Sequence, residues 1–152
     1  MSATVDANIL IYADNVDDPV HAEARALIDR LSAGPDLFYL FWPTIFAYLR
    51  IVTNPRILRD PITPTEAVRN VDGILSLPHV VAPGEGDGFW QAYLMSGGAS
   101  VRGDAVPDAH LAALMRANGV RVLYTRDTRF RRFDFLDVRS PFEPPGRRAG
   151  RR

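Results

Sequence analysis

Cysteine and lysine are both missing from this 152-residue chain. Without cysteine there is no disulfide framework, no thiolate zinc site and no cysteine nucleophile, and a cytoplasmic setting is the simpler expectation. Without lysine there is no Walker lysine for a phosphate-binding loop, no Schiff base and no lysine partner for an aspartyl-phosphate. Glutamate is scarce, confined to Glu23, Glu66, Glu85 and Glu143. No apolar run approaches the roughly 20 residues of a membrane-spanning helix, and the N-terminus lacks a basic-then-apolar signal pattern, so a soluble, unprocessed protein is expected.

With 47% hydrophobic residues, the chain is one domain's worth and long enough to bury a sizeable core. Its eighteen cationic side chains are all arginine, and the formal net charge is zero. Four of those arginines sit in the last six residues, so the body through Gly146 carries 14 arginines against 18 acids, a net charge of −4. A generic basic nucleic-acid binder is excluded, and any RNA contact must use local arginine clusters.

Strand-like and helix-like segments alternate. A short strand ends at Val5–Asp6, and Asn8 to Tyr12 turns into a helix. Asp18-Pro19 marks the next helix start, whose stripe is Val20, Ala24, Leu27, Ile28 and Leu31, ended by Gly34-Pro35. Leu37 to Phe41 reads as a strand covered on both faces. A helix runs from Pro43 towards Asn54-Pro55. Thr63-Pro64-Thr65-Glu66 combines a cap, a first-turn proline and a capping-box glutamate ahead of Val68, Val71, Ile74 and Leu75. A strand over His79 to Ala82, a helix over Phe89 to Leu94, a loop over 99–106, a helix from Pro107 to Asn118 with Gly119 at its C′ position, and strands at Val122 to Thr125 and Leu136 to Val138 complete the body. This alternation predicts an α/β fold with a mainly parallel central sheet. Pro144 to Arg152 is poor in apolar residues and is expected to be a disordered tail.

Three aspartates fall at element junctions: Asp6 after the first strand, Asp108 inside a proline-initiated helix and Asp127 after Val122-Leu-Tyr-Thr125. In an open parallel sheet the loops leaving the carboxyl ends of the strands converge on one crevice, so distant aspartates can meet there. Clustered carboxylates repel unless a cation joins them, and hard oxygen ligands favour Mg²⁺ or Mn²⁺ over zinc. Each aspartate also has an ordinary reading: Asp6 as a helix cap, Asp108 at the positive end of its helix dipole, Asp127 as a turn opener. It is their conjunction that points to a metal site.

Asp6-Ala7-Asn8, Val106-Pro-Asp-Ala-His-Leu-Ala-Ala113 and Thr125-Arg-Asp-Thr-Arg-Phe130, in that order and with Pro43 to Pro55 between, resemble the PIN-domain nucleases, most closely the VapC toxins of bacterial type II toxin–antitoxin pairs. The resemblance covers Asp6 to about Pro141. It implies a PIN-like three-layer α/β/α sandwich over residues 1–141 followed by a Pro/Arg-rich tail over 142–152. It implies a Mg²⁺-dependent endoribonuclease, with Mn²⁺ a possible substitute, held inactive by a VapB-like antitoxin and commonly dimeric. By position Asp6, Asp108 and Asp127 match the catalytic, metal-binding acids, and Asn8 and Thr125 match supporting polar positions, with a helix cap and an ordinary strand residue as their alternatives.

One family position departs. Many members carry a glutamate where this chain has Ala47, just before Tyr48-Leu49-Arg50, and only Glu23 offers a distant substitute. A second metal ion is therefore not expected, and a catalytically decayed module that still binds an antitoxin-like partner is the rival reading. Arg50, on roughly the face of Ala47, and Arg126 are the expected substrate contacts. Arg129 could join them, whereas Arg131 and Arg132 read better as a solvated turn. His21, His79 and His110 have no metal-ligand spacing and read as structural. A haloacid-dehalogenase-like enzyme or a response-regulator receiver is opposed by Asn8 and by the absent lysine.

Overall fold

The computed structural model describes residues 1–142. Its strands are β1 (Ser2–Val5), β2 (Leu37–Tyr39), β3 (Val80–Val81), β4 (Val122–Tyr124) and β5 (Asp137–Arg139), and its helices are α1 (Ala7–Asp14), α2 (His21–Ala33), α3 (Trp42–Val52), α4 (Pro64–Leu75), α5 (Phe89–Met95) and α6 (Ala105–Ala117). The sheet is parallel throughout, in the order β3-β2-β1-β4-β5. The chain winds outward from β1 to one edge and then crosses back to β4, which places a switch point between β1 and β4, where ligand crevices form in such sheets.

Successive side chains of a strand point to opposite faces. Phe38 and Leu40 accordingly enter a core shared with α1, α2, α3 and α4, whereas Tyr39 and Phe41 enter a second core with α6, Leu123, Phe130 and Phe133. Helices therefore cover both faces, giving the expected three-layer sandwich. Phe38, Phe41 and Phe130 are among the largest fully buried side chains; truncating such a residue to alanine costs about 3–5 kcal/mol.

Local chemistry sets the element ends. Thr63 accepts from the Glu66 amide at 3.2 Å, as the capping sequence anticipates. The helix expected from Asp18-Pro19 starts later, because the Asp18 carboxylate closes a turn on the Val20 amide at 2.9 Å and the helix proper opens at His21. Conversely, α6 begins two residues before Pro107, which is tolerated because a first-turn residue has no intrahelical N–H bond to lose. A 3-10 turn over Gly98–Ser100 overlaps the start of the segment read as loop. Phe142, counted with the tail on sequence grounds, packs edge-on to Tyr12 at 5.9 Å; residues 143–152 of that expected tail lie outside the described residues. No helix among the described residues is long and apolar enough to cross a membrane.

A polar cluster interrupts the first core. Tyr48, 2% exposed, donates its hydroxyl proton to Asp14 and accepts from Asn70 Nδ2 at 3.2 Å. Arg25 reaches the other Asp14 oxygen at 3.4 Å. These groups line a cavity of about 110 Å³ with Leu10, Ile28, Leu40 and Val71 among its apolar walls. Burial first, and the bond to Asp14 second, hold the Tyr48 phenol protonated well above its ordinary range. A buried hydrogen bond to a charged acceptor contributes about 1.5–3 kcal/mol. Tyr48→Phe is expected to lower unfolding stability by that amount, read as a lower urea midpoint at unchanged m-value.

Candidate active site

Asp6 occupies the step from β1 into α1. Its amide donates to the Tyr124 carbonyl at 2.9 Å, extending the β1–β4 pairing to the site, and its extended backbone lets the side chain cap the helix. Oδ1 accepts from the Ala7 amide at 2.7 Å, and Oδ2 accepts from the Thr125 hydroxyl at 2.8 Å and from Asn8 Nδ2 at 3.3 Å. The Thr125 hydroxyl in turn accepts from Asn8 Nδ2 at 3.2 Å and from the Asp127 amide at 2.9 Å. One donor and two acceptor sites exhaust a hydroxyl, so Thr125, 1% exposed, is locked in orientation and ties β1, α1 and the loop after β4 together.

Asp127 caps the 3-10 turn Thr128–Arg132. Its carboxylate accepts from the Arg129 amide at 2.9 Å, from Arg129 Nε at 3.1 and 3.0 Å and from Arg129 Nη2 at 2.7 Å. Asp108 lies in the first turn of α6, where the helix dipole favours negative charge. Its Oδ2 is buried without a hydrogen-bond donor, and Arg132 Nη2 stands 3.7 Å away. Asn8 Oδ1 is also buried without a donor.

These environments drive the carboxyls apart. Burial pushes Asp6 above its ordinary value, partly countered by the Thr125 and Ala7 hydrogen bonds. Burial does the same at Asp108, with Arg129 opposing it and the charges of Asp127 and Asp6 adding to it. Asp127 moves the other way, held down chiefly by its Arg129 hydrogen bond. The charge of Asp127 thus bears on both Asp6 and Asp108, and that of Asp6 on Asp108.

Among the described residues, no three His, Asp or Glu groups are close enough to hold a metal ion on their own. A Mg²⁺ ion needs only one or two protein carboxylates when waters complete its shell. Asp6 and Asp108, both desolvated, together with an orphaned acceptor oxygen on Asp108, suit that chemistry. Asp127 suits it less, because both of its oxygens already accept from Arg129.

The other anticipated residues divide. Asn8 and Thr125 belong to the hydrogen-bonded unit around Asp6. Arg126 lies beside it, with its guanidinium over the Tyr12 and Phe142 rings at 5.5 and 6.0 Å. Arg50 is exposed on α3 and forms no hydrogen bond or ion pair with the aspartates among the described residues. Ala47 packs against the first core, and Glu23 is exposed in the first turn of α2. His21 and His79 bond to main-chain carbonyls, and His110 pairs with Glu85 at 2.6 Å. Arg132, read from sequence as a solvated turn residue, instead stands beside Asp108. The missed signal was spacing: residues three apart share a side of a 3-10 turn, so Arg129 and Arg132 face the acids together.

Fold and site together define an α/β protein with aspartates near the carboxyl edge of a parallel sheet. Residues 3–136 match the PIN domain family. Ribonuclease VapC48 of Mycobacterium tuberculosis is 43% identical over 143 residues, 93% of this chain and 99% of the relative. The crystal structure of Mycobacterium tuberculosis VapC20, described as a Sarcin-Ricin loop cleaving toxin, superposes with a TM-score of 0.64 at 21% identity, covering 90% of this chain and 98% of that one. VapBC2 from Rickettsia felis, solved with a DNA fragment from the promoter, gives a TM-score of 0.64 at 14% identity, covering 92% and 98%. The chain belongs to the PIN-domain family, in its VapC branch of ribonucleases.

A carboxyl raised above its unfolded value near 3.8 binds protons on folding. Asp6 and Asp108 therefore stabilise the metal-free fold most below that value, and this contribution is lost as pH rises through their raised pKa values, whereas Asp127 acts in the opposite sense. Asp108→Asn is expected to raise the melting temperature of the metal-free protein at pH 7, where burial opposes the charge on the wild-type carboxyl. The gain should vanish at pH 3, as calorimetry at both pH values would show.

Proposed function

We propose that this chain is the toxin of a type II toxin–antitoxin pair and hydrolyses RNA phosphodiester bonds as an endoribonuclease, with Mg²⁺ as its resident ion and Mn²⁺ as a working substitute. The observation that carries this reading is the pair of desolvated carboxyls, Asp6 and Asp108, with a buried Asp108 oxygen that accepts no hydrogen bond, at a sheet edge like that of the VapC relatives. An ion held there supplies a water of lowered pKa and polarises a phosphate oxygen.

The protein's own contribution is positional. Thr125 and Asn8 fix Asp6 by hydrogen bonds to Oδ2, while the Ala7 amide fixes Oδ1. The rigid β1–β4 pairing beneath them keeps the acids from relaxing into solvent. Arg126 and its neighbours in the turn give the strand's phosphates a cationic margin on a body that is otherwise net acidic, so RNA is held locally.

The partners follow from the same reading. A VapB-like antitoxin is the expected inhibitor, in keeping with the toxin–antitoxin assemblies among the structural neighbours. A homodimer is consistent with apolar side chains left exposed on α3 (Trp42, Phe46) and on α5 (Trp90, Leu94, Met95). The alternative, a decayed PIN module, rests on Ala47.

Purified protein, free of antitoxin, should cut a pool of unstructured and tRNA-like RNAs in Mg²⁺ or Mn²⁺ and stop in EDTA. Asp6→Asn should lower the rate by at least about 10²-fold, the order of loss when a group acting on the reacting phosphate is removed. Full activity in that variant would exclude the proposed site. A folded wild-type protein that cuts nothing would favour the decayed module.

A further inference from the structure

Asp127 is the member of the acidic trio that a metal ion would find already taken. Its two oxygens accept from Nε and Nη2 of Arg129, and its Oδ1 also accepts from the Arg129 amide. The main-chain bond belongs to the turn itself, so the fold presets the guanidinium on Asp127. Nε–H and one N–H of Nη2 are directed to Asp127, which leaves about three of the five guanidinium donors for another acceptor. The side chain is 61% exposed, so those donors are open to a ligand. Arg129 also acts electrostatically on Asp6 and Asp108. The charge of this one side chain therefore acts on all three carboxylates.

We propose that Arg129, held by Asp127, is a built-in phosphate clamp that replaces a second metal ion: Asp127 is a positioning residue for Arg129 and not a metal ligand, and Asp6 with Asp108 holds a single divalent cation.

The charge balance supports this division. Asp127 and Arg129 neutralise each other, leaving Asp6 and Asp108 to match one divalent ion. A second divalent ion bound through Asp127 would have to break a bidentate ion pair and sit beside a displaced arginine. Bidentate arginine forks match phosphate oxygens as well as they match carboxylates, so an incoming RNA phosphate meets a donor set already oriented for it. Arg132, 3.7 Å from Asp108, adds a second positive group along the same turn. The balance accords with Ala47, which removes a carboxylate that could have served a second ion.

This inference rests on the metal-dependent nuclease reading, and metal titration separates the two. Isothermal titration with Mn²⁺ should give one ion per chain for the wild type, and Asp6→Asn should abolish binding. Arg129→Ala should bind Mn²⁺ about tenfold more tightly or take up a second ion, the effect of removing a like charge at a few ångströms. Asp127→Asn should still bind one ion per chain, about tenfold more weakly because a neighbouring negative charge is lost, while cleavage of a single-stranded RNA by this variant rises in KM. Circular dichroism checks that each variant folds. Loss of Mn²⁺ binding in Asp127→Asn, or unchanged or weaker binding in Arg129→Ala, overturns the assignment of Arg129 while leaving the metal site in place. Retained binding in Asp6→Asn overturns the metal site itself.

Discussion

A carboxylate withdrawn from water at the end of a central strand is the constraint around which this molecule is arranged. Asp6 cannot move outward, because its amide pairs with β4 and its side chain begins α1. Charge in that position is opposed by desolvation, and the surrounding donors only partly offset the cost. Thr125 and Asn8 contribute two of those donors, Ala7 a third. Under the proposed metal-site reading, a divalent cation between Asp6 and Asp108 would supply the rest of the compensation, and the burial that opposes charge in the bare protein would favour that ion.

That position depends on topology more than on any local motif. β1 lies between β2 and β4, so its carboxyl end opens where the winding direction reverses. The α6 helix returns its first turn to this edge, and the loop after β4 adds Thr125 and Asp127. Side chains on alternate faces of β2 anchor the two helical layers that hold these elements in register. A slip of one residue in β1 would turn Val5 from the first core towards the second and displace Asp6 from the crevice.

Much of this was legible in the sequence, and for physical reasons. Period-2 and period-3.6 patterns give the alternation of strands and helices, and the capping box at Thr63 gives a helix start with its own hydrogen bond. Asp6, Asn8, Thr125 and Asp108 stand out because polar residues at strand ends and helix starts have few structural uses in that combination. The Asp14–Tyr48–Asn70–Arg25 cluster was not legible, since its members come from four helices whose relative rotation no periodicity encodes. Element ends shifted where a side-chain turn such as Asp18 on Val20 competed with the helix.

The arginines of the last turn show how a short-range feature decides a long-range function. Taken one at a time, Arg129 and Arg132 are exposed cations on a loop, where surface ion pairs contribute little to stability. The 3-10 geometry places both on the side facing the acids, and the Asp127 cap fixes the first of them through main-chain and side-chain bonds together. Such a pair has little reason to exist for stability in so exposed a setting. It makes sense as a means of holding positive charge beside two desolvated carboxylates without filling the space between them. A decayed site would be under no constraint to keep Asp108 buried with an unpartnered oxygen, since one substitution to an apolar residue would relieve it. That costly oxygen, beside an oriented arginine, supports the proposed reading of a centre that takes an ion and a phosphate at once.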